Sequence, residues 1–228
     1  MSAYYRGRRA QLYEQHWSHF TQRTQEETLA LIDVEAIRQQ ARKHERAPRL
    51  LDVACGTGRL LSQLHQQFPD ADLYGIDGSQ DMLLQARQRL SAVPSLRLEH
   101  AIISPGKQAE MPFPSDNFDL ITCTNALHNL ADPANFLADL VRLLASGGWL
   151  AIEDYARRSF AVPWRFVEWL ALRIEGSQGR ALTQAEAEKL CEQAGLHIER
   201  SHTFVIDMVF HGWVILVGKT NNEKHSIK

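Results

Sequence analysis

Through the first 47 residues the apolar positions recur at helical spacing and never alternate as a half-buried strand would. Leu12, Trp17, Phe20, Leu29, Leu31, Ile32, Val34 and Ile37 stand among Gln, Glu and Arg. This predicts two amphipathic helices, broken near Thr21–Thr24. Pro48 closes the region, because proline cannot supply the amide that a helix interior needs. From Arg49 the period changes. Short apolar runs at Leu50–Ala54, Ala71–Ile76, Leu96–Ile103, Phe118–Cys123 and Trp149–Glu153 alternate with helical patterns, which predicts five strands. Ser79, Asp132 ahead of Pro133, and Thr183 with Glu186 three residues on read as helix N-caps. Gly147-Gly148 and Gly195 read as helix stops. Leu196 to Lys219 reads as two strands with a turn near Ile206-Asp207, an antiparallel hairpin.

Strands that alternate with helices make a parallel sheet with right-handed crossovers. The predicted fold class is therefore α/β: a doubly wound, mostly parallel, seven-stranded sheet of Rossmann-like form. It has an antiparallel C-terminal hairpin and an N-terminal helical cap. The predicted organisation is a cap or lid over residues 1–47, a core over 48–219 and a polar, disordered tail over 220–228.

Composition narrows the function. The chain has 228 residues, 44% hydrophobic and 23% charged, enough for one domain with a small addition. Lys plus Arg is 25 against 27 for Asp plus Glu, a net charge of -2. That balance lacks the basic face of a nucleic-acid binder and the polybasic run of a membrane anchor. No apolar run is long enough to span a bilayer, and the first residues lack the apolar segment of a signal peptide. Cys55, Cys123 and Cys191 form neither a disulfide framework nor a metal pair, which fits a cytoplasmic protein and predicts no metal.

A doubly wound sheet takes its ligand at the carboxyl ends of its strands, near the switch in strand order. There the chain carries Asp52-Val53-Ala54-Cys55-Gly56-Thr57-Gly58, whose small residues let a ligand approach the backbone. At the end of the next strand stands Asp77, a carboxylate able to accept both hydroxyls of a ribose. Together they predict a nucleoside cofactor. A dinucleotide fingerprint needs a third glycine, and Leu61 or Arg59 stands there instead, which disfavours an NAD-dependent oxidoreductase.

The segments LLDVACGTGRL, YGIDGSQDML, MPFPSDNFDLITCTNALHNLADP and LLASGGWLAIED resemble those of class I S-adenosylmethionine-dependent methyltransferases. The small-molecule branch that includes the quinone-biosynthesis enzymes is the most similar. The resemblance covers residues 49–155 and, more loosely, the terminal hairpin. It implies methyl transfer from S-adenosylmethionine, by direct displacement, to a small organic acceptor at O, N, S or C, leaving S-adenosylhomocysteine. The alternative is a non-catalytic S-adenosylmethionine-binding or regulatory protein of the same fold.

By the same resemblance, Asp52, Ala54, Cys55, Gly56 and Gly58 cradle the methionine part of the cofactor. Asp77 binds the ribose, Gly78 and Met82 lie by the adenine, and Asn125 and Ala126 line the methyl end. Two departures stand out. Ala54 replaces a usual glycine, one methyl and a mild change. The stretch Ile102–Glu110 lacks the usual adenine-binding aspartate, and Gln108 is its candidate substitute. His128 is the candidate general base, with Asp154 and Tyr155 behind it. Tyr13, Trp17, His128, Tyr155 and Trp164 are the candidate acceptor-binding residues. Residues 160–174, apolar on almost every side, form either pocket wall or a homodimer contact.

Overall fold

The computed structural model describes residues 5, 7–102, 111–156, 180–207 and 210–219. Gln108, Trp164, residues 160–174 and the tail 220–228, for which the sequence carries expectations, lie outside them.

Helix α1 runs unbroken over Arg8–Leu31, and α2 over Val34–Lys43. The break thus falls at Ile32-Asp33 and not near Thr21–Thr24. The threonines stay helical because their hydroxyls bond back to the preceding turn: Thr21 Oγ1 to the Trp17 carbonyl at 2.9 Å, Thr24 Oγ1 to that of Thr21 at 3.1 Å, Thr28 Oγ1 to that of Thr24 at 2.8 Å. Asp33 makes the true break by capping α2, accepting the Ala36 N–H at 3.0 Å.

The core continues as β1 (Arg49–Val53), α3 (Arg59–Gln67), β2 (Asp72–Asp77), α4 (Gln80–Arg89), β3 (Leu96–His100) and β4 (Phe118–Thr124). A short 3-10 turn over Leu127–Asn129 leads to α5 (Pro133–Leu143), β5 (Leu144–Tyr155), α6 (Gln184–Gln193), β6 (Leu196–Val205) and β7 (His211–Lys219). Ser79, Asp132 and Thr183 cap their helices as predicted, the last in a complete capping box.

All seven strands join one sheet in the order β3-β2-β1-β4-β5-β7-β6. β7 runs antiparallel to both β5 and β6, and the other pairs are parallel. This is the predicted architecture. One face buries Leu51, Val53, Ile121, Cys123, Leu150 and Ile152 with α5 and α6. The other packs Leu50, Leu73 and Leu120 under α2, α3 and α4, and Ala151, Val214 and Leu216 against Leu31 of α1.

Gly147 and Gly148 do not stop a helix. α5 ends at Leu143, and the glycines sit inside β5 where its register against β4 jumps from Phe118–Leu144 to Leu120–Trp149. Gly147 has φ 71°, and a Cβ on Gly148 would stand 2.9 Å from the Phe118 carbonyl oxygen. The pair serves an irregularity in the strand.

Candidate active site

The strand order turns between β1 and β4, and the glycine turn lies at that switch, between β1 and α3. Its backbone is left-handed at Ala54 (φ 61°), Gly56 (φ 53°) and Gly58 (φ 74°). Hydrogen bonds close it: the Cys55 N–H donates to the Ile76 carbonyl at 3.0 Å, and the Gly58 N–H to the Cys55 carbonyl at 2.9 Å. A Cβ on Gly56 would meet nothing within 4 Å, so the outer side of the turn is open. Beneath it packing is tight. A Cβ on Gly75 would lie 2.9 Å from Cys55 Sγ and closer still to Leu61 and Leu98.

Ala54 is therefore more than one added methyl. An alanine pays for a left-handed backbone that glycine adopts freely, roughly 1–2 kcal/mol. Ala54→Gly relieves that strain and gives back part of it as chain entropy. The variant is expected to be more stable by up to about 1 kcal/mol in urea unfolding.

Asp77 ends β2 and braces the turn. Its Oδ2 accepts the Gly56 N–H at 2.9 Å and its Oδ1 the Ser79 N–H at 2.7 Å. Burial pushes its carboxyl up, and these two N–H groups oppose the shift. A carboxylate has about four lone-pair sites, so capacity remains for a ribose. Asp52 is wholly buried below the turn and accepts the Thr122 hydroxyl at 2.7 Å. Burial, helped by the charge of Asp77 and opposed by the Thr122 bond, pushes its pKa up to about 7. Cys55 and Cys123 are buried thiols pushed well up, chiefly by burial, and are unsuited to act as nucleophiles. Met82 is buried at the start of α4, its N–H on Ser79 Oγ. The Gly78 carbonyl meets His100 Nε2 at 3.0 Å.

Beyond β4, Asn125 takes a left-handed conformation (φ 52°), which asparagine tolerates. Its Nδ2 donates to Thr24 Oγ1 of α1 at 3.0 Å, and Ala126 beside it is buried. His128 is buried too. Its N–H donates to Asp154 Oδ2 at 2.8 Å, and its Nδ1 lies 2.8 Å from Asp154 Oδ1. The carboxylate selects the Nδ1–H tautomer, which leaves Nε2 as the acceptor for Asn129 Nδ2 at 2.8 Å. The Tyr155 ring stands 4.7 Å from the imidazole.

Helix α1 crosses the same edge. Tyr13 packs edge-on against Tyr5 and Trp17 against Phe20, with ring centroids 5.0 and 5.7 Å apart. No sequence pattern signals how α1 is held there. Thr57 of the glycine turn donates to Glu14 Oε1 at 2.6 Å, and Arg89 of α4 to Glu14 Oε2 at 2.8 Å. Burial opposes the Glu14 charge, but these two partners outweigh it and hold the carboxyl below its ordinary range. The Tyr5 carbonyl accepts from Ser79 Oγ, the Gly7 N–H donates to Asp81, and Gln85 Nε2 donates to the Ala10 carbonyl. These contacts join residues far apart in sequence, so periodicity could not have shown them.

An open glycine turn, a carboxylate at the end of the next strand and an antiparallel terminal pair thus stand together in one sheet. Residues 51–150 match the family model described as a methyltransferase domain. That match spans the glycine turn and Asp77. The chain is similar to demethylmenaquinone methyltransferase of Thermus thermophilus, 37% identical over 49% of each chain. It is similar to trans-aconitate 2-methyltransferase of an Acidovorax species, 35% identical over 52% of this chain and 43% of that protein. Its fold resembles the crystal structure of a SAM-dependent methyltransferase from Aquifex aeolicus, with TM-score 0.57 and 20% identity over 88% of this chain and 97% of that one. The chain spans about half the length of the curated relatives it matches. Among the described residues, no helix is long and apolar enough to cross a membrane.

Proposed function

We propose that this chain transfers the methyl group of S-adenosylmethionine to a small organic acceptor. The observation that carries the reading is the brace between Asp77 and the Gly56 N–H, which joins the ribose-type carboxylate to an open glycine turn. Asp77 holds the ribose, the turn from Asp52 to Gly58 takes the methionine part, and Asn125 and Ala126 lie at the methyl end. The bound cofactor supplies a sulfonium methyl for direct displacement. The chain's own contribution is alignment and exclusion of water. Helix α1 acts as the lid, with Tyr13, Trp17 and Tyr155 on the acceptor side. The net charge of -2 suits a small molecule better than a polyanion. Demethylmenaquinone and trans-aconitate, named for the two relatives, bracket the acceptors to try.

His128 is the general base of this reading, for acceptors whose proton must leave. Asp154 orients its ring through Nδ1, and Nε2 takes the proton once Asn129 yields. The engaged Nε2 is also what favours the second reading, a cofactor-binding protein without turnover. Calorimetry with S-adenosylmethionine, S-adenosylhomocysteine and NAD tests the cofactor; loss of both sulfur ligands overturns the proposal. A metabolite screen for S-adenosylhomocysteine release then separates enzyme from binding protein. On an acceptor found this way, His128→Ala is expected to lower the rate without changing affinity for S-adenosylhomocysteine. An undiminished rate would leave His128 a structural residue.

A further inference from the structure

Glu153 is the least accommodated group among the described residues. It lies on a central strand, wholly buried, and neither carboxyl oxygen has a hydrogen-bond partner. No described Lys, Arg or His forms an ion pair with it. The Asn125 N–H is committed to the Glu153 main-chain carbonyl at 3.0 Å and only weakly favours the side chain's charge. Burial, together with the charge of Asp154, pushes the carboxyl well above its ordinary range. An unmet buried carboxyl is costly, and natural sequences keep one where a ligand or a reaction uses it.

The surroundings indicate which ligand. Ala151 and Tyr155, two residues to either side on β5, pack on the α1 face of the sheet, so strand alternation puts Glu153 there as well. Its neighbours across the sheet are Thr124 of β4 and Val214 of β7. On this face two more buried oxygens have no donor: Oδ1 of Asn125 and Oε1 of Gln25 in α1. A chain of aromatic rings borders it. Trp17 meets Phe20 at 5.7 Å, Phe20 meets Phe210 at 5.5 Å, and Phe210 meets Tyr155 at 6.1 Å. Unmet acceptors call for a ligand rich in N–H donors. Aromatic rings on the same side of the sheet as a carboxylate favour a cation.

We propose that Glu153 and Asn125, bordered by Trp17, Phe20, Phe210 and Tyr155, form the head-group site of the methyl acceptor, and that the acceptor is an amine. This rests on the methyltransferase reading above and names its substrate class. An amine enters as its ammonium and pairs with the Glu153 carboxylate. For this acceptor class Glu153, and not His128, takes one N–H proton, which frees the nitrogen lone pair. The lone pair forms the N–CH3 bond while the S–CH3 bond breaks and its electron pair goes to sulfur. The sulfonium becomes a neutral thioether, and the methylated nitrogen carries the positive charge. Glu153 loses its proton to solvent when the next ammonium binds.

The test compares benzylamine, an ammonium at neutral pH, with benzyl alcohol, its uncharged analogue. Both are titrated against protein saturated with S-adenosylhomocysteine. Benzylamine is expected to bind at least about tenfold more tightly. Glu153→Gln should bring the two within about twofold while S-adenosylhomocysteine still binds. Equal affinities in the wild type, or a preference that survives Glu153→Gln, would overturn the inference. If Glu153→Gln does not fold, Phe210→Leu decides: the preference must shrink, and an unchanged preference counts against the site. Failure of S-adenosylhomocysteine to bind the wild type would instead sink the methyltransferase reading.

Discussion

Asp52→Asn stabilises this protein at pH 8 and has little effect at pH 4. Asp52 is buried at the core edge of the glycine turn, and its pKa of about 7 in the fold compares with 3.8 for a free aspartate. Below pH 3.8 the carboxyl is protonated in both the folded and the unfolded chain, and pH has no leverage through it. As pH rises from there to about 7, the unfolded chain gives up the proton first, so the fold steadily loses relative stability. Above pH 7 the loss is complete and constant. At about 1.4 kcal/mol per pH unit, the span amounts to on the order of 4 kcal/mol. Asparagine keeps an oxygen for the Thr122 hydroxyl and cannot ionise. Urea unfolding at pH 4, 6 and 8 checks this. A variant-to-wild-type difference that does not change with pH would mean that Asp52 is ionised throughout.

The second large effect is on cofactor affinity. Asp77→Ala is expected to weaken S-adenosylhomocysteine binding by about 10- to 150-fold, the worth of a hydrogen bond to a charged group, about 1.5–3 kcal/mol. The substitution removes a ribose partner and also releases the Gly56 and Ser79 N–H groups, so the turn loses its brace. Asp77→Asn separates the two contributions, since an amide oxygen can still accept one N–H. Calorimetry supplies the measurement. An affinity unchanged in Asp77→Ala would place the ribose elsewhere.

The sheet was legible because each strand and helix cap is a local signal. Alternating period, Asp132-Pro133 and the Thr183–Glu186 box need no distant partner to act. Asp77 and the glycine turn were legible for a related reason: the sheet brings neighbouring strand ends together wherever strands follow one another. The misread points depend on neighbours. Thr21 and Thr24 look like a break until their hydroxyls turn back into the helix. Gly147-Gly148 looks like a stop until the Phe118 carbonyl occupies the space a side chain would need. The Glu14–Thr57–Arg89 contact joins three segments that share no pattern. Glu153 was the exception, a charge within the buried run LAIED whose alternation with Ala151 was there to be noticed.

The two halves of α1 are fastened differently. Near its N-terminus the contacts are polar and partly exposed: Glu14 on Thr57 and Arg89, Gln85 on the Ala10 carbonyl. Toward its C-terminus Thr24, Thr28 and Leu31 are buried against the sheet. Water replaces polar contacts at little cost, whereas exposing apolar surface costs in proportion to its area. Local stability therefore rises along this single helix, from a first half that detaches readily to a second half that parts only with the core. Opening of α1 is expected to start at its N-terminal end and to leave the sheet intact.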